Sequence, residues 1–303
     1  MNYRQKFFFM HFIFFFGTCI CGKNRGADLI IFSYDRPLQL YAFLESVEIY
    51  MTGVASKHVV YRTSSERYEK AYDVIQNNFD VTMYHQQTEK DFRSFVLKAL
   101  SQGKTAYVLF AVDDMIVKDY VDIYECVEYL RLTRAYGFYL RLGTHLSFCY
   151  TMNKKQPVPP YKEIKKNVCS WIFDEGVYDW NYPHTVDMTI YEKKLVLADF
   201  LSLSFYNPNS LEQQWMNMYV RYKPACARGL FFAHSKVVNI PLNKVQEGWD
   251  NRFMEGYNPE DLLKLFEDGL KIDINPLYHV ANNGAHIEYT PTYVSRVKIK
   301  KGE

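Results

Sequence analysis

The sequence has little cysteine and no excess of charge of either sign. Six cysteines occur in 303 residues, and none forms a C-x-x-C pair, so neither a zinc site of that kind nor a dense disulfide framework is predicted. The formal net charge is only +2, which gives no electrostatic reason to expect a nucleic-acid partner. Internal repeats, low-complexity blocks and clear linkers are also missing. These absences favour an ordinary globular protein.

Residues 1–25 differ in composition from the rest of the chain. Arg4 and Lys6 precede residues 7–20, an uncharged stretch dominated by Phe. This order is typical of a secretory signal peptide, and the apolar run is shorter than the ~20 residues of a comfortable membrane span. We predict a signal peptide or short signal anchor, with membrane association or secretion through it. A misassigned start codon, which would leave the protein cytoplasmic, is the alternative.

After residue 25, short apolar runs alternate with segments of helical periodicity. Apolar residues recur at helical spacing after Pro37 and again near residues 66–77 and 92–100. The runs between them are predicted strands, at residues 28–33, 58–61, 81–84 and 105–112. Such alternation predicts an α/β fold with a mostly parallel central sheet flanked by helices.

The second half of the chain gives fewer clear signals. Helical spacing appears at residues 119–130, 190–203, 209–219 and 259–270, where Asn258 and Pro259 mark a helix start. Residues 137–151 indicate one or two strands and residues 231–240 another. The aromatic residues of 171–183 indicate the rim of a site.

Residues 105–115, TAYVLFAVDDM, are the most informative stretch of the sequence. A buried strand ends there at two adjacent carboxylates, Asp113 and Asp114. Ligands of open α/β sheets bind beyond the carboxyl ends of the strands, and two adjacent carboxylates need a positive partner. A divalent cation with a phosphate-bearing substrate would supply it. The alternative is a solvated turn in which Asp114 caps a helix starting near Val117.

Polar residues also follow the first two predicted strands. Ser33, Tyr34, Asp35 and Arg36 come directly after the first strand, and Arg62 follows the second. Because parallel strands end at one edge of a sheet, these side chains are expected beside the aspartate pair. The alternative for Asp35 and Arg36 is turn chemistry before a proline.

An ordered set of segments resembles the nucleotide-sugar glycosyltransferases of the GT-A fold, in the broad family-2-like group. The segments are IIFSYDRP (30–37), VVYRTSS (59–65), the aspartate pair, DWNYP (179–183), NPN (207–209) and NIP (239–241). The resemblance covers most of residues 27–290. It implies one GT-A domain over residues 26–303, with a donor half at about 26–135 and an acceptor half at about 136–290.

The resemblance also implies roles for individual residues. Asp114 would bind Mn²⁺ or Mg²⁺ directly, with Asp113 and His286 as further metal contacts. The residues already described at the strand ends would bind the nucleotide: Ser33, Tyr34, Asp35, Arg36, Arg62 and Asp113. The sequence departs from the family at Val112, where Asp-x-Asp has its first aspartate, and at Arg62, where many relatives place an aspartate for the base.

Sugar transfer by inversion needs a base opposite the leaving group, and Glu212 and Asp187 are the candidates. Glu212 has an alternative role in the dipole of its helix. The implied function is metal-dependent transfer of a sugar from a nucleotide-sugar donor to a glycan or glycolipid acceptor. Two alternatives stay open: a catalytically degenerate carbohydrate-binding protein, which Val112 favours, and a GT-A-type nucleotidyltransferase, which would normally carry a glycine-rich loop after the first strand.

Overall fold

The computed structural model describes residues 26–222, 227–245 and 252–296. The predicted leader, residues 1–25, lies outside the described residues. Across the described ranges, no helix combines the length and apolar character needed to span a bilayer.

Most of the regular structure is short strands, with helices placed between them. The strands are β1 Ala27–Tyr34, β2 Met51–Thr52, β3 Val54–Arg62, β4 Thr82–Gln86, β5 Tyr107–Val112, β6 Met115–Val117, β7 Val121–Asp122, β8 Gly137–Tyr139, β9 Phe148–Cys149, β10 Lys154–Lys155, β11 Tyr161–Lys165, β12 Val168–Ile172, β13 Thr189–Glu192, β14 Arg228–Phe232, β15 Val237–Asn239, β16 Leu270–Ile272 and β17 Tyr293–Ser295. The α-helices are α1 Pro37–Tyr50, α2 Glu66–Asn78, α3 Asp91–Gln102, α4 Ile123–Thr133, α5 Lys193–Ser202, α6 Pro208–Tyr222 and α7 Pro259–Glu267.

Nine of these strands form one sheet in the order β11-β12-β14-β8-β13-β5-β1-β3-β4. The four strands at one end, β5-β1-β3-β4, are all parallel. Beyond β5, only β13 and β12 run against the others, because β13 pairs antiparallel with β5 and β8, and β12 with β14 and β11. The predicted α/β class and mostly parallel sheet are therefore confirmed.

Strand β1 shows why its sequence is apolar without alternation. Leu29 and Ile31 face one hydrophobic cluster, while Ile30 and Phe32 face another on the opposite side of the sheet. Successive side chains of a strand point to opposite faces, so a strand covered on both faces is apolar throughout. Helix α1 covers the first face and is itself nearly all buried, because α2, α7 and β6 pack against it.

The prediction of a helix over residues 190–203 is wrong at its start. Strand β13 occupies Thr189–Glu192 and lies between β5 and β8, and only then does α5 begin. The four residues TIYE are too few for their periodicity to distinguish a buried strand from a helix turn. Tertiary pairing with β5 decides the outcome.

Three other boundaries differ from the predictions. Helix α4 starts at Ile123, where the Asp122 side chain accepts a hydrogen bond from the Tyr124 amide, and not at residue 119. The predicted strand 231–240 is two strands, β14 and β15, in different sheets. No helix follows Asp114: strand β6 begins at Met115, so the helix-cap alternative for Asp114 is wrong.

A buried carboxylate at the start of β1 ties together the edge of the sheet opposite the strand ends. Asp28 accepts hydrogen bonds from the Ser56 hydroxyl on β3 and from the Thr105 hydroxyl and amide before β5. Lys193, at the start of α5, forms an ion pair with it. Burial raises the pKa of Asp28, but the hydrogen bonds from Lys193 and Ser56 outweigh it and hold the pKa below its ordinary value.

We expect Lys193→Gln to lower the free energy of unfolding by ~3 kcal/mol, because it leaves the Asp28 carboxylate buried without its cationic partner. Urea unfolding with linear extrapolation measures this. The neighbouring Lys194 is the matched control, since its ion pair with Glu192 is exposed. Lys194→Gln should change stability by less than ~0.5 kcal/mol. Equal effects of the two substitutions would contradict the role of the buried pair.

Candidate active site

A cavity of about 750 Å³ opens where strands β1, β3 and β5 end. Its position matches the rule that ligands of open α/β sheets bind beyond the carboxyl ends of the strands. Nine of the ten site residues predicted from the sequence line it: Ser33, Tyr34, Arg36, Arg62, Asp113, Asp114, Asp187, Glu212 and His286. The tertiary structure thus brings together residues that are up to 253 positions apart in the chain, Ser33 and His286.

Asp113 is held by the protein itself. Its Oδ2 accepts hydrogen bonds from the Ser33 hydroxyl (2.8 Å) and the Tyr34 amide (3.3 Å), and its Oδ1 accepts one from Arg36 Nη1 (3.1 Å). Burial raises the pKa of Asp113, while Arg36 and Ser33 oppose the rise. Both carboxylate oxygens already accept hydrogen bonds from the protein. Asp113 therefore holds the turn after β1 in place and has little capacity left to bind a metal.

Asp114 is the less saturated of the two carboxylates. Asn239 Nδ2 donates to its Oδ1 at 3.2 Å, and Arg36 Nη1 lies 3.5 Å from its Oδ2. Burial raises the pKa of Asp114 to about 7; Arg36 opposes this rise and Asp113 adds to it. Arg36 offsets only part of the cost of burying a charged carboxylate here, and a second positive charge would stabilise the charged form further.

Two unpartnered polar atoms lie on the Asp114 side of the cavity. Asn239 and His286 form a single parallel β-bridge, and Asn239 Oδ1 and His286 Nδ1 are buried without a hydrogen-bond partner in the structure. Burial lowers the pKa of His286 to about 3, with Arg141 adding to the effect, so its imidazole is neutral. A neutral imidazole, an amide oxygen and a carboxylate are ligand types that suit Mn²⁺.

The described residues contain no group of three His, Cys, Asp or Glu side chains close enough to hold a metal by themselves. A cation here would therefore need the Asn239 oxygen or ligand oxygens in addition to Asp114 and His286. The residue types fit a divalent metal that arrives with an anionic ligand, which is how Mg²⁺ commonly binds with phosphates.

A second arginine lies on the other side of the cavity. Arg141 is buried, and its Nη1 is 2.8 Å from Asp187 Oδ2. Burial raises the pKa of Asp187, while Arg141 opposes the rise and favours the charged carboxylate. Asp187 is thus an ion-paired group whose position is fixed by Arg141.

Glu212, on α6, approaches the same region. Its Oε1 accepts hydrogen bonds from the Val186 amide (2.7 Å) and the Thr185 hydroxyl (2.9 Å). Burial raises the pKa of Glu212 to about 7, with Asp187 adding to the rise and Val186 and Thr185 opposing it. The first turn of α6 contains no acidic residue, so the alternative that Glu212 serves the dipole in that turn is wrong.

The two remaining predicted positions differ from each other. Arg62 lines the cavity, and its guanidinium lies 5.4 Å from the centroid of the Tyr34 ring. Asp35 does not line it: its Oδ1 accepts a hydrogen bond from the Ser64 amide (2.9 Å), and its φ is +51°. The turn-chemistry alternative thus describes Asp35, and its assignment to nucleotide binding is not supported by its position.

Arg141, Asn239 and Asn243 also line the cavity and are not among the predicted site residues. Arg141 is a lone charge within the apolar run GFYLRLG (137–143), and a buried arginine without a partner is rare, so this pattern was an available signal. Asn239 belongs to the NIP segment of the resemblance, which gave it no role of its own, and Asn243 carried no signal. Arg36 Nη2 donates to the Asn243 main-chain oxygen, which fixes the arginine against a loop more than 200 residues away.

Comparison with known proteins finds a glycosyltransferase of similar sequence. No family model matches the sequence. Over 264 residues, 76% of the chain, it is 23% identical to the bifunctional glycosyltransferase pgtA of Dictyostelium discoideum. The chain is thus similar in sequence to a glycosyltransferase. It spans about a third of the length of pgtA, 33%. The predicted resemblance to glycosyltransferases is thereby confirmed.

Solved structures show a weaker likeness. TarS of S. aureus, residues 1–349, is 12% identical with a TM-score of 0.46, over 70% of this chain and 59% of that one; the same fragment with UDP-GlcNAc gives 0.44. A 4-diphosphocytidyl-2C-methyl-D-erythritol synthase of Anaerococcus prevotii gives 0.38 at 10% identity, over 80% and 96% of the two chains. At these values the likeness says nothing about the substrate of this glycosyltransferase relative.

We expect Thr185→Val to raise the pKa of Glu212 above its value of about 7, because it removes a hydrogen bond that stabilises the carboxylate. At pH 7 less than half of Glu212 would then be ionised. A ¹³C NMR titration of labelled glutamates, with Glu212→Gln to assign the signal, measures the shift. Thr133→Val is the control, since the Thr133 hydroxyl donates to the Tyr129 main-chain oxygen and accepts from the Ala135 amide, and makes no bond to Glu212. An unchanged titration in Thr185→Val would contradict the arrangement.

Proposed function

We propose that the protein transfers a sugar from a nucleotide-sugar donor to an acceptor hydroxyl, with inversion at the sugar and with a divalent metal. The observation that carries this proposal is one cavity lined both by the Asp113–Asp114 pair and by the ionisable Glu212. Donor binding at strand ends and a base across the cavity are the two things that inverting transfer requires.

The donor side consists of the ends of β1, β3 and β5. Asp114 and His286 would hold Mn²⁺ or Mg²⁺, and Asp113 with Ser33 would keep the turn in place. When bound, the metal neutralises the diphosphate and so makes it a better leaving group. Arg36 already contacts both aspartates, so its guanidinium is within reach of an anion at the same place. Tyr34 and Arg62 are the remaining donor candidates.

The acceptor side has two carboxylates with separate roles. Glu212, with a pKa of about 7, is half ionised at neutral pH and can accept the acceptor hydroxyl proton. Asp187 is paired with Arg141, which favours its charged form and suits it to orient a hydroxyl by accepting a hydrogen bond. The absence of such an ion pair at Glu212 supports Glu212 as the base. The acceptor would be a glycan or glycolipid.

One observation favours a second candidate, a carbohydrate-binding protein without catalysis. Arg36 lies against both aspartates, and Val112 occupies the last position of β5 and pairs with Phe32. An arginine that permanently neutralised Asp114 would make a metal unnecessary. The cavity would then bind a carbohydrate without catalysing its transfer. The nucleotidyltransferase alternative has no such support, since the turn YDRPLQL after β1 has no glycine.

We expect nucleoside diphosphates with Mn²⁺ to stabilise the wild-type protein, and Asp114→Asn to abolish the stabilisation by removing the charged metal ligand. A ligand at a hundred times its dissociation constant adds ~2.7 kcal/mol, so a thermal-shift screen with uridine, guanosine, cytidine and adenosine diphosphates detects it. Each nucleotide is measured with Mn²⁺ and with a chelator. Asp80→Asn, an exposed substitution outside the cavity, is the control and should shift like wild type.

The same screen separates the alternatives. A shift that persists with chelator in wild type and in Asp114→Asn would overturn the metal assignment and favour Arg36 as the permanent counter-charge. No shift with any diphosphate would overturn the donor site. Metal-dependent binding without hydrolysis or transfer of a matching nucleotide sugar would support the non-catalytic candidate.

We expect Glu212→Gln to keep metal-dependent donor binding and to lower turnover by about 10² to 10⁴-fold, the usual contribution of a general base. In the wild type, kcat/KM should rise with pH through about 7, because Glu212 acts only when ionised and its pKa is about 7. The variant should lack this limb. Hydrolysis or transfer assays across pH 5.5–8.5 measure both effects.

Asp187→Asn serves as the comparison, since it removes a charge from the same wall of the cavity. It should raise KM for the acceptor and retain the rise of kcat/KM with pH, shifted to lower pH because the charge of Asp187 contributes to the raised pKa of Glu212. If Asp187→Asn loses the limb and Glu212→Gln retains it, the two assignments are reversed.

A further inference from the structure

A cluster of tyrosines lies at the end of the sheet opposite the cavity. It surrounds the short ladder in which β2 pairs with β7, Met51 opposite Val121. We call it the tyrosine patch and define it by Ile49, Tyr50, Tyr120, Tyr124 and Tyr278. All but Tyr50 are exposed; Tyr120 has 59% of its surface accessible.

Three rings of the tyrosine patch contact one another. Tyr50 stacks on Tyr278 with centroids 5.0 Å apart, and Tyr120 packs edge-on against Tyr50 (5.3 Å) and Tyr278 (5.9 Å). Contacts between aromatic rings fix their positions, so the exposed faces form a preset surface. Contiguous exposed apolar surface of this kind marks an interaction site.

The chain enters the described structure beside this patch. Gly26 and Gly53 both have positive φ, and a Cβ on either would lie within 3.3 Å of the Tyr124 ring. Residues 1–25, with the Phe-rich stretch 7–20 and basic residues on both sides, therefore join the fold next to the exposed tyrosines. Tyrosine combines an apolar ring with a polar tip and concentrates at membrane–water interfaces.

We propose that the tyrosine patch rests on a membrane surface, on the same bilayer that the leader engages. The occupant is the interfacial region of a lipid bilayer, because residues 1–25, which contain the Phe-rich stretch 7–20, precede Gly26 beside the patch. The four exposed side chains would lie at the headgroup level, where aromatic rings are most stable.

The placement fixes which way the cavity faces. Arg36 at the beginning of α1 lines the cavity, while Ile49 and Tyr50 at its end belong to the patch. A 14-residue helix is ~21 Å long, so the two features lie at opposite ends of α1. With the patch on the bilayer, the cavity opens toward water. The consequence for the acceptor, a glycan reached from the aqueous side, rests on the proposed function; the contact with the membrane does not.

The test uses the full chain bound to phosphatidylcholine vesicles whose acyl chains are either plain or brominated. Tyr120→Trp places a fluorophore in the patch, and Tyr161→Trp places one on the exposed edge strand β11 as the matched control. Native tryptophan signal is subtracted by using the wild type on the same vesicles. We expect bromine to quench the added fluorescence at position 120 several-fold more than at position 161.

Several results would overturn the proposal. These are failure of the full chain to bind vesicles, equal quenching at both positions, and no quenching at position 120 on vesicle-bound protein. In the last case, loss of a dimer in Tyr120→Ser by sedimentation would show that a second copy covers the patch. Because no step depends on donor or turnover, failure here is distinct from failure of the proposed transferase activity.

Discussion

Two arginines stabilise three of the carboxylates that line the cavity. Arg36 lies between Asp113 and Asp114, and Arg141 holds Asp187. Burial works against every one of these charges, and an unpaired buried carboxylate would take up a proton instead. Glu212, by contrast, has hydrogen bonds but no arginine in contact with it, and burial together with the repulsion of Asp187 raises its pKa to about 7.

The carboxylates at the two ends of the sheet differ in how completely the protein satisfies them. At the start of β1, Asp28 is saturated by donors from β3, the turn before β5 and α5, and its pKa is lowered. At the other end, Asp114 and Glu212 are buried with fewer partners, and their pKa values rise to about 7. A fully satisfied carboxylate stabilises the fold, whereas an incompletely satisfied one keeps the capacity to bind a cation or exchange a proton.

Prediction from the sequence succeeded where local pattern and topology agree. The polar residues after β1 and β5 were identifiable because parallel strands must end at one edge. Asp35 was expected beside the aspartate pair but does not line the cavity, because its backbone is left-handed and its carboxylate accepts a hydrogen bond from the Ser64 amide. Strand β13 was read as helix because four residues carry too little periodicity. Asn239 was out of reach, because its role depends on β15 pairing with β6 beside Asp114.

The sequence by itself determined the alternation of strands and helices, the carboxylates at the end of β5 and the relationship to glycosyltransferases. These follow from local periodicity and from ordered motifs. Only the tertiary structure decided that Arg36 contacts both aspartates, that Arg141 pairs with Asp187 and that burial raises the pKa of Glu212 to about 7. Those outcomes depend on burial and on distances between residues far apart in the chain, and a pKa has no meaning until the surroundings of the group are fixed.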